Sequence, residues 1–304
     1  MSPTRRLLAI ALCTALTGGA MAADTAKSPT AKELLATSTP AEWRTPDLQN
    51  LVYMDLPQGR VVIELAPDWT PAHAANIRTL IREHYFDGLA VIRVQDNFVT
   101  QWGDPDDEDK AKAKPLGSAK TSLPPEFTRA IDPKLEWTPL PDGDVYAPQV
   151  GFSEGFPAAR DPATGQAWLT HCYGAVGVAR NVGATTGSGS SLYAIIGQAP
   201  RNLDRNLAVA GRVLQGMALL SAYPRGGEPM GFYANPKLRT TITSVRLAAD
   251  VPEAERSKLE VMRTDSARYA AAVEAQRNRG GPWTKVAAGY IDVCNAPIPV
   301  REQK

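Results

Sequence analysis

A serine set between glycines, Gly151-Phe152-Ser153-Glu154-Gly155, has the spacing of a nucleophile elbow, whose chemistry is acyl transfer. That chemistry needs a sharp turn between a strand and a helix. Here Pro148 lies upstream and Pro157 downstream in loop-like text, which argues against a hydrolase. The glycine-rich stretch Gly183 to Gly189 could cradle phosphate, but no Lys-Ser/Thr pair ends it and no clear helix pattern follows. A flexible surface loop is expected there instead. Asp104, Asp106, Asp107, Glu108 and Asp109 have the acidity of a calcium loop without its glycine and terminal glutamate, so a solvated acidic face is expected. His73, His84 and His171 lack metal-ligand spacing and read as surface or structural residues; neither a metal nor a cofactor is expected.

The first residues bear on compartment. Arg5 and Arg6 precede an apolar run from Leu7 to Leu16, followed by the small-x-small triplet Ala20-Met21-Ala22. This is the order of a secretory signal peptide over residues 1–22, and the run is too short for a permanent membrane span. A lipoprotein signal would need a small residue before Cys13, where Leu12 stands. A soluble periplasmic protein beginning near Ala23 is expected. In an oxidising compartment the two cysteines that remain, Cys172 and Cys294, suit a structural disulfide better than a metal pair, because no second Cys or spaced His completes a zinc set; two unpaired buried thiols are the other reading. Lys and Arg total 33 against 32 Asp and Glu, a balance that gives no electrostatic case for nucleic acid or an anionic membrane.

The elements that must position any site are mostly strands. Residues 23–48, rich in Thr, Ala, Pro and Lys, read as a flexible leader. Leu51 to Met54 and Val61 to Leu65 flank a turn at Pro57-Gln58-Gly59, a hairpin signal. Thr70-Pro71 opens a helix, with Thr as N-cap and Ala74, Ile77, Leu80 and Ile81 as its inward stripe. Leu89 to Val94 and Phe98 to Gln101 read as strands around a turn at Asp96-Asn97. Residues 126–170 read as an insertion with little regular structure. Strand patterns return at 175–179, 192–196, 207–213 and 241–248, with a short helix over 216–223. Residues 251–304 read as a C-terminal helical extension, its helix running from Val251 to Gln276. The strand count predicts a mainly β, closed or nearly closed antiparallel barrel with helices near each end of the set.

The stretch from Gly59 to Pro105 resembles the cyclophilin family of peptidyl-prolyl cis-trans isomerases. It runs Gly-Arg-Val-Val-Ile-Glu-Leu, then Pro71 and Asn76, then Tyr85-Phe86-Asp87-Gly88, and then Val91 to Pro105, in which Arg93, Phe98, Gln101, Gly103 and Asp104 keep the family's spacing. A second block matches as Gly177-Val178-Ala179-Arg180, Gly189 to Ile195, and Leu203-Asp204 followed by Leu207 to Val213. An isolated R-x4-F-x2-Q means little; two blocks in order are fairly specific. The resemblance implies a closed eight-stranded antiparallel barrel over residues 49–250, capped by two helices, with proline bound on its outer surface.

The implied reaction is rotation about an X-Pro bond during folding of exported proteins. It needs a pocket that prefers the twisted amide, and no nucleophile or metal. As resonance is lost the proline nitrogen regains a lone pair, and a rigid guanidinium is a suitable donor to it. Arg93 is the candidate donor, with Gln101 holding the substrate carbonyl or orienting Arg93. Phe98, Val99, Tyr193 and Leu203 would floor the proline pocket; by resemblance Ala179 and Arg180 line the backbone groove, and Ser191 and Leu207 stand at its wall. The departures are in the rim: Ile92, Ser191, Asn202 and Leu207 replace a histidine, a glutamine, a tryptophan and a second histidine, and Trp102 replaces a glycine. Weak or differently selective catalysis with poor cyclosporin binding is expected. The rival is a non-catalytic, proline-binding periplasmic chaperone or scaffold with a degenerate pocket. The expected partners are proline-containing unfolded or partly folded proteins, with no nucleic acid and no membrane span; oligomeric state is open.

Overall fold

The computed structural model describes residues 29–181, 186–280 and 283–303. The expected signal peptide and residues 183–185 of the glycine-rich run lie outside them. The hairpin Leu51–Leu56/Gly59–Leu65 forms as expected, with Leu56 facing Gly59 across the turn. Its near-continuous apolar text has a physical cause: successive side chains point to opposite faces, and both faces are covered. Val52, Met54, Val61, Ile63 and Leu65 enter the main core, while Leu51, Tyr53 and Val62 pack outward against Ala248 and Leu259.

This hairpin belongs to a nine-stranded, wholly antiparallel sheet in the order 240–241, 90–94, 99–103, 192–195, 175–178, 209–215, 59–65, 51–56, 244–247. The expected ladder was eight strands and closed; the observed one is nine and open. Its two edge strands, Thr240–Thr241 and Ser244–Leu247, are separated only by Ile242 and Thr243. There the Ile242 N–H donates to the Leu89 carbonyl and the Thr243 N–H to the Asp55 carbonyl, so the chain steps from one side of a curled sheet to the other. The curl encloses Val52, Ile63, Val91, Trp102, Val176, Ala194 and Leu247, and the helices Pro71–Arg82 and Met217–Ala222 add Ile77, Leu80, Ile81 and Leu220 to that core. Among the described residues four α-helices accompany the strands.

The N-terminus of Pro71–Arg82 is held differently from the expected Thr cap. The Thr70 hydroxyl donates to the Ala66 carbonyl, and the free N–H groups of Ala72 and His73 donate to the Glu126 carboxylate at 2.9 Å each. A carboxylate suits the positive end of a helix, and this one comes from the insertion.

Three further expectations are corrected. Residues 126–170 are not irregular: they hold a five-stranded antiparallel sheet in the order 129–130, 166–169, 156–161, 149–153, 138–139. Ser153 and Phe156 flank a two-residue turn in which Glu154 and Gly155 both have positive φ, a hairpin geometry rather than a strand-to-helix elbow. Ser153 is wholly buried, so the nucleophile pattern is a hairpin signal. The leader is ordered from Thr30, which forms a reciprocal capping box with Glu33 at the start of a helix Ala31–Ala36. The C-terminal region is not one helix from Val251. A strand Leu259–Met262 lies between Trp43–Arg44 and Val300–Glu302, and the helix spans Ala267–Arg277 behind a Ser266 cap. The remote pairing buries Leu259, Val261 and Met262, which local helix preference does not register.

Leader, insertion and C-terminal segment share a second core of Trp43, Val150, Phe152, Ala159, Trp168, Met262, Tyr269 and Val273. The expected disulfide Cys172–Cys294 crosses this unit and links residues 122 apart. Closing so long a loop removes unfolded-chain entropy worth roughly 4–5 kcal/mol. A Cys172→Ser/Cys294→Ser variant should therefore unfold at lower urea concentration than the oxidised protein, by about that free energy. Dithiothreitol should bring the parent to the variant's midpoint and leave the variant unmoved.

Candidate active site

The site begins with one extra residue in a strand. Val91 and Arg93 are two apart, so in a regular strand both side chains would share a face. In Ala90–Val94 the register slips: Val91 pairs with Trp102, and Arg93 pairs with Gln101. Ile92 is the bulged residue, and the bulge sends Val91 into the core while turning Arg93 outward. On Val99–Gly103, Thr100 and Trp102 point inward and Gln101 outward. Trp102, counted among the rim departures because it replaces a glycine, fills the core.

Gln101 pairs on its other side with Tyr193, and Tyr193 with Gly177. Arg93, Gln101, Tyr193 and Gly177 thus form one row across four neighbouring strands. Arg93 Nη1 donates to Gln101 Oε1 at 3.1 Å, and Gln101 Nε2 donates to Ser191 Oγ at 3.1 Å. The Arg93 Nε–H donates to the Met230 carbonyl at 2.6 Å, and Nη2 donates to Gln95 Oε1. The guanidinium carbon stands 5.6 Å from the Phe98 ring centroid and 5.1 Å from that of Phe232. Burial lowers the Arg93 pKa from its ordinary value, yet a guanidinium so far above neutrality stays charged. Of its five N–H donors, three are engaged, which leaves one on each Nη.

All ten residues singled out for the site (Arg93, Gln101, Phe98, Val99, Ala179, Arg180, Ser191, Tyr193, Leu203 and Leu207) line one open cavity of about 710 Å³. Its apolar floor is continuous with the cluster of Val99, Tyr193, Ile195 and Val209, against which Phe98, Ala179 and Leu207 pack. Burial first, and Asp104 second, push the Tyr85 hydroxyl at the cavity wall up to about 12.

Met230 and Phe232 escaped sequence reasoning. They lie on a loop that follows the second capping helix and runs along strand Ala90–Val94 where Thr240–Thr241 does not reach, with Val94 N–H donating to Gly231 and Tyr233 N–H to Ile92. Both are about half exposed at the cavity rim. The only local signal was an aromatic pair beside Gly231, with no periodicity to place it.

His84 is exposed, as expected of a surface residue, but His73 and His171 are wholly buried and structural. His73 lies between Glu126 and Thr186. His171 lies between Asp204 and the Tyr193 hydroxyl, each 3.0 Å away. Asp204 pairs in turn with Arg201, which pairs with Asp144.

Residues 51–247, more than half of the chain, match the family model described as cyclophilin type peptidyl-prolyl cis-trans isomerase/CLD. Two curated relatives, each called a probable peptidyl-prolyl cis-trans isomerase, come from Brucella suis biovar 1 and Brucella melitensis biotype 1. Each is 37% identical over 89 residues, covering 27% of this chain and 45% of the relative, so the match spans about half the relatives' length. The crystal structure of cyclophilin AquaCyp293 from Hirschia baltica is similar in fold, with a TM-score of 0.67 at 24% identity, over 91% of this chain and 99% of that one.

The buried Asp204 carries a pH prediction. Burial alone would raise its pKa; the His171 hydrogen bond and the Arg201 charge outweigh it, and the folded value lies below the unfolded one. Its stabilisation is therefore present above the unfolded carboxylate pKa of about 3.9 and is lost as pH falls through the folded value. Asp204→Asn should lower stability at neutral pH and flatten the stability curve below about pH 4, as read by urea titrations across that range.

Proposed function

The chain belongs to the cyclophilin-type peptidyl-prolyl cis-trans isomerase family, and from that premise we propose that it accelerates X-Pro isomerisation in exported proteins. The observation that carries this reading is the row of Arg93, Gln101 and Tyr193 beside an apolar hollow. An X-Pro amide crosses a barrier of about 18–20 kcal/mol because its C–N bond has double-bond character. Phe98, Val99, Leu203 and the Tyr193 ring receive the proline ring by burial of apolar surface. A remaining Nη–H of Arg93 donates to the proline nitrogen as its lone pair returns. This bond is unavailable to the planar amide, so it favours the transition state selectively. Gln101 and Met230 hold the guanidinium in place, so little reorganisation is needed when the bond twists. Phe232 and Met230 supply apolar rim that other elements do not, consistent with a selectivity unlike that of relatives with a tryptophan rim.

The N-terminal order Arg5-Arg6, Leu7 to Leu16 and Ala20-Met21-Ala22, together with the Cys172–Cys294 disulfide, supports a periplasmic site of action. Proline-containing unfolded or partly folded proteins are the proposed clients, and no nucleic acid role is proposed. N-terminal sequencing of protein recovered from the periplasm should begin near Ala23; retention of Met1 would count against export.

The catalytic test is isomerisation of a short proline peptide. Arg93→Ala should lower kcat/KM by about 100-fold or more, the loss typical of removing one preorganised donor. Normal turnover in Arg93→Ala would overturn the site assignment. Peptide binding without turnover by the parent protein would favour the non-catalytic chaperone.

A further inference from the structure

The aromatic floor of the pocket is held from beneath by a chain of polar contacts that begins in the insertion. Tyr193 lines the cavity with its ring, yet it is almost completely buried and its hydroxyl lies 3.0 Å from His171 Nε2. His171 Nδ1 lies 3.0 Å from Asp204 Oδ1, which also accepts from the His171 backbone N–H at 2.9 Å. A carboxylate only accepts, so Nδ1 carries a proton towards Asp204, and Nε2 is left to face the Tyr193 hydroxyl. Asp204 Oδ2 accepts from Arg201 Nε at 2.6 Å, and the other face of Arg201 is paired with both oxygens of Asp144 at 2.8 and 3.2 Å. Arg201 is itself 4% exposed, so none of these charges is dispersed into solvent.

The ring position has a second, independent determinant. A Cβ on Gly177 would stand 2.2 Å from the Tyr193 ring carbon that bears the hydroxyl, a separation real atoms do not tolerate. The ring therefore lies flat over the neighbouring strand only because residue 177 lacks a side chain. A phenylalanine could occupy that bed, but without the hydroxyl nothing would tie its far end to His171. Asp204 also sits between the two apolar wall residues Leu203 and Leu207, and Arg201 begins the short 3-10 turn that presents Leu203.

We propose that His171 is a positioning residue for the proline pocket, and that the line Asp144–Arg201–Asp204–His171–Tyr193 lets the inserted sheet fix the pocket floor. This rests on the isomerase reading for its kinetic readout but not for its structural one. The insertion acts as a buttress: it carries Asp144, ends next to His171, and contributes no residue to the cavity lining. Orienting the floor affects how tightly the proline ring is held, so the effect falls on KM and peptide affinity rather than on kcat.

The test compares the parent protein with His171→Ala, His171→Gln, Asp144→Ala and Tyr193→Phe, measuring turnover of a short Ala-Pro peptide and its Kd by NMR titration. Losing one buried hydrogen bond from the floor should raise KM and Kd about tenfold in His171→Ala, with kcat changed by about twofold at most. His171→Gln, whose amide can still meet the Tyr193 hydroxyl, should recover most of that loss. In a Tyr193→Phe background the His171→Ala effect should shrink, because the contact it removes is already gone. Long-range proton–nitrogen spectra should show the Nδ1–H tautomer of His171. Parent-like KM and Kd in folded His171→Ala, additivity with Tyr193→Phe, or the Nε2–H tautomer would each overturn the proposal. Should His171→Ala not fold, Asp144→Ala carries the test: about a threefold rise in Kd is expected, and no change overturns it. A parent protein that binds the peptide without turning it over defeats the isomerase reading alone, and Kd then still decides the positioning role. A parent that does not bind the peptide defeats both.

Discussion

The functional surface depends on a single break in strand regularity. A sheet curled around a core gives every second residue to the interior, and Ala90–Val94 needs Val91 and Val94 inside. No regular strand can put residues 91 and 94 inward and 93 outward opposite Gln101 unless one residue is skipped. The bulge at Ile92 does this, and the pairing with Gln101 then fixes where the guanidinium stands. The loop carrying Met230 and Phe232 closes over the same edge and accepts the Arg93 Nε–H, so the bulged strand is paired on both sides near the bulge. Residues 92–94, which the two-residue strand Thr240–Thr241 does not reach, would otherwise expose their backbone, and they are covered by the element that completes the rim.

The two faces of the sheet serve different purposes with the same physics. Inside, Trp102, Val176 and Ala194 fill space. Outside, the neighbours of those residues, Gln101, Gly177 and Tyr193, form a row that is half polar and half apolar. The proposed isomerisation would draw on this mixture: apolar area to hold a ring, and one immobilised donor for the nitrogen of a twisted amide. The buried polar line beneath Tyr193 is fully paired at each joint, which is the condition under which such groups rigidify a site instead of weakening it.

Around this lies a second core that joins three segments distant in the chain. Trp43 of the leader, Phe152 and Trp168 of the insertion, and Met262 and Tyr269 of the C-terminal segment pack together, with Phe152 and Tyr269 edge to face at 5.1 Å. Together they cover the outer face of the hairpin Leu51–Leu56/Gly59–Leu65 through Leu259 and reach the site through His171.

The sequence by itself determined the paired blocks that make the family recognisable, the hairpin at Pro57-Gln58, the helix stripe Ala74, Ile77, Leu80 and Ile81, and the membership of Arg93, Gln101, Phe98 and Tyr193 in one cavity. These are readable because strand and helix periods are local, and because strict spacing across two blocks leaves few ways to place the residues. Only the tertiary structure decided the strands of the leader, insertion and C-terminal segment, the Glu126 cap, the rim of Met230 and Phe232, and the burial of His171. Apart from the insertion strands 149–153, 156–161 and 166–169, which pair locally, these rest on partners tens to hundreds of residues away, and a two- to four-residue strand has no period long enough to declare itself before that partner arrives. Ser153 makes the same point in reverse: its glycine-flanked motif named a chemistry, while Gly155 supplies the positive φ of a hairpin turn and Gly151 the close approach of the strand carrying Thr138.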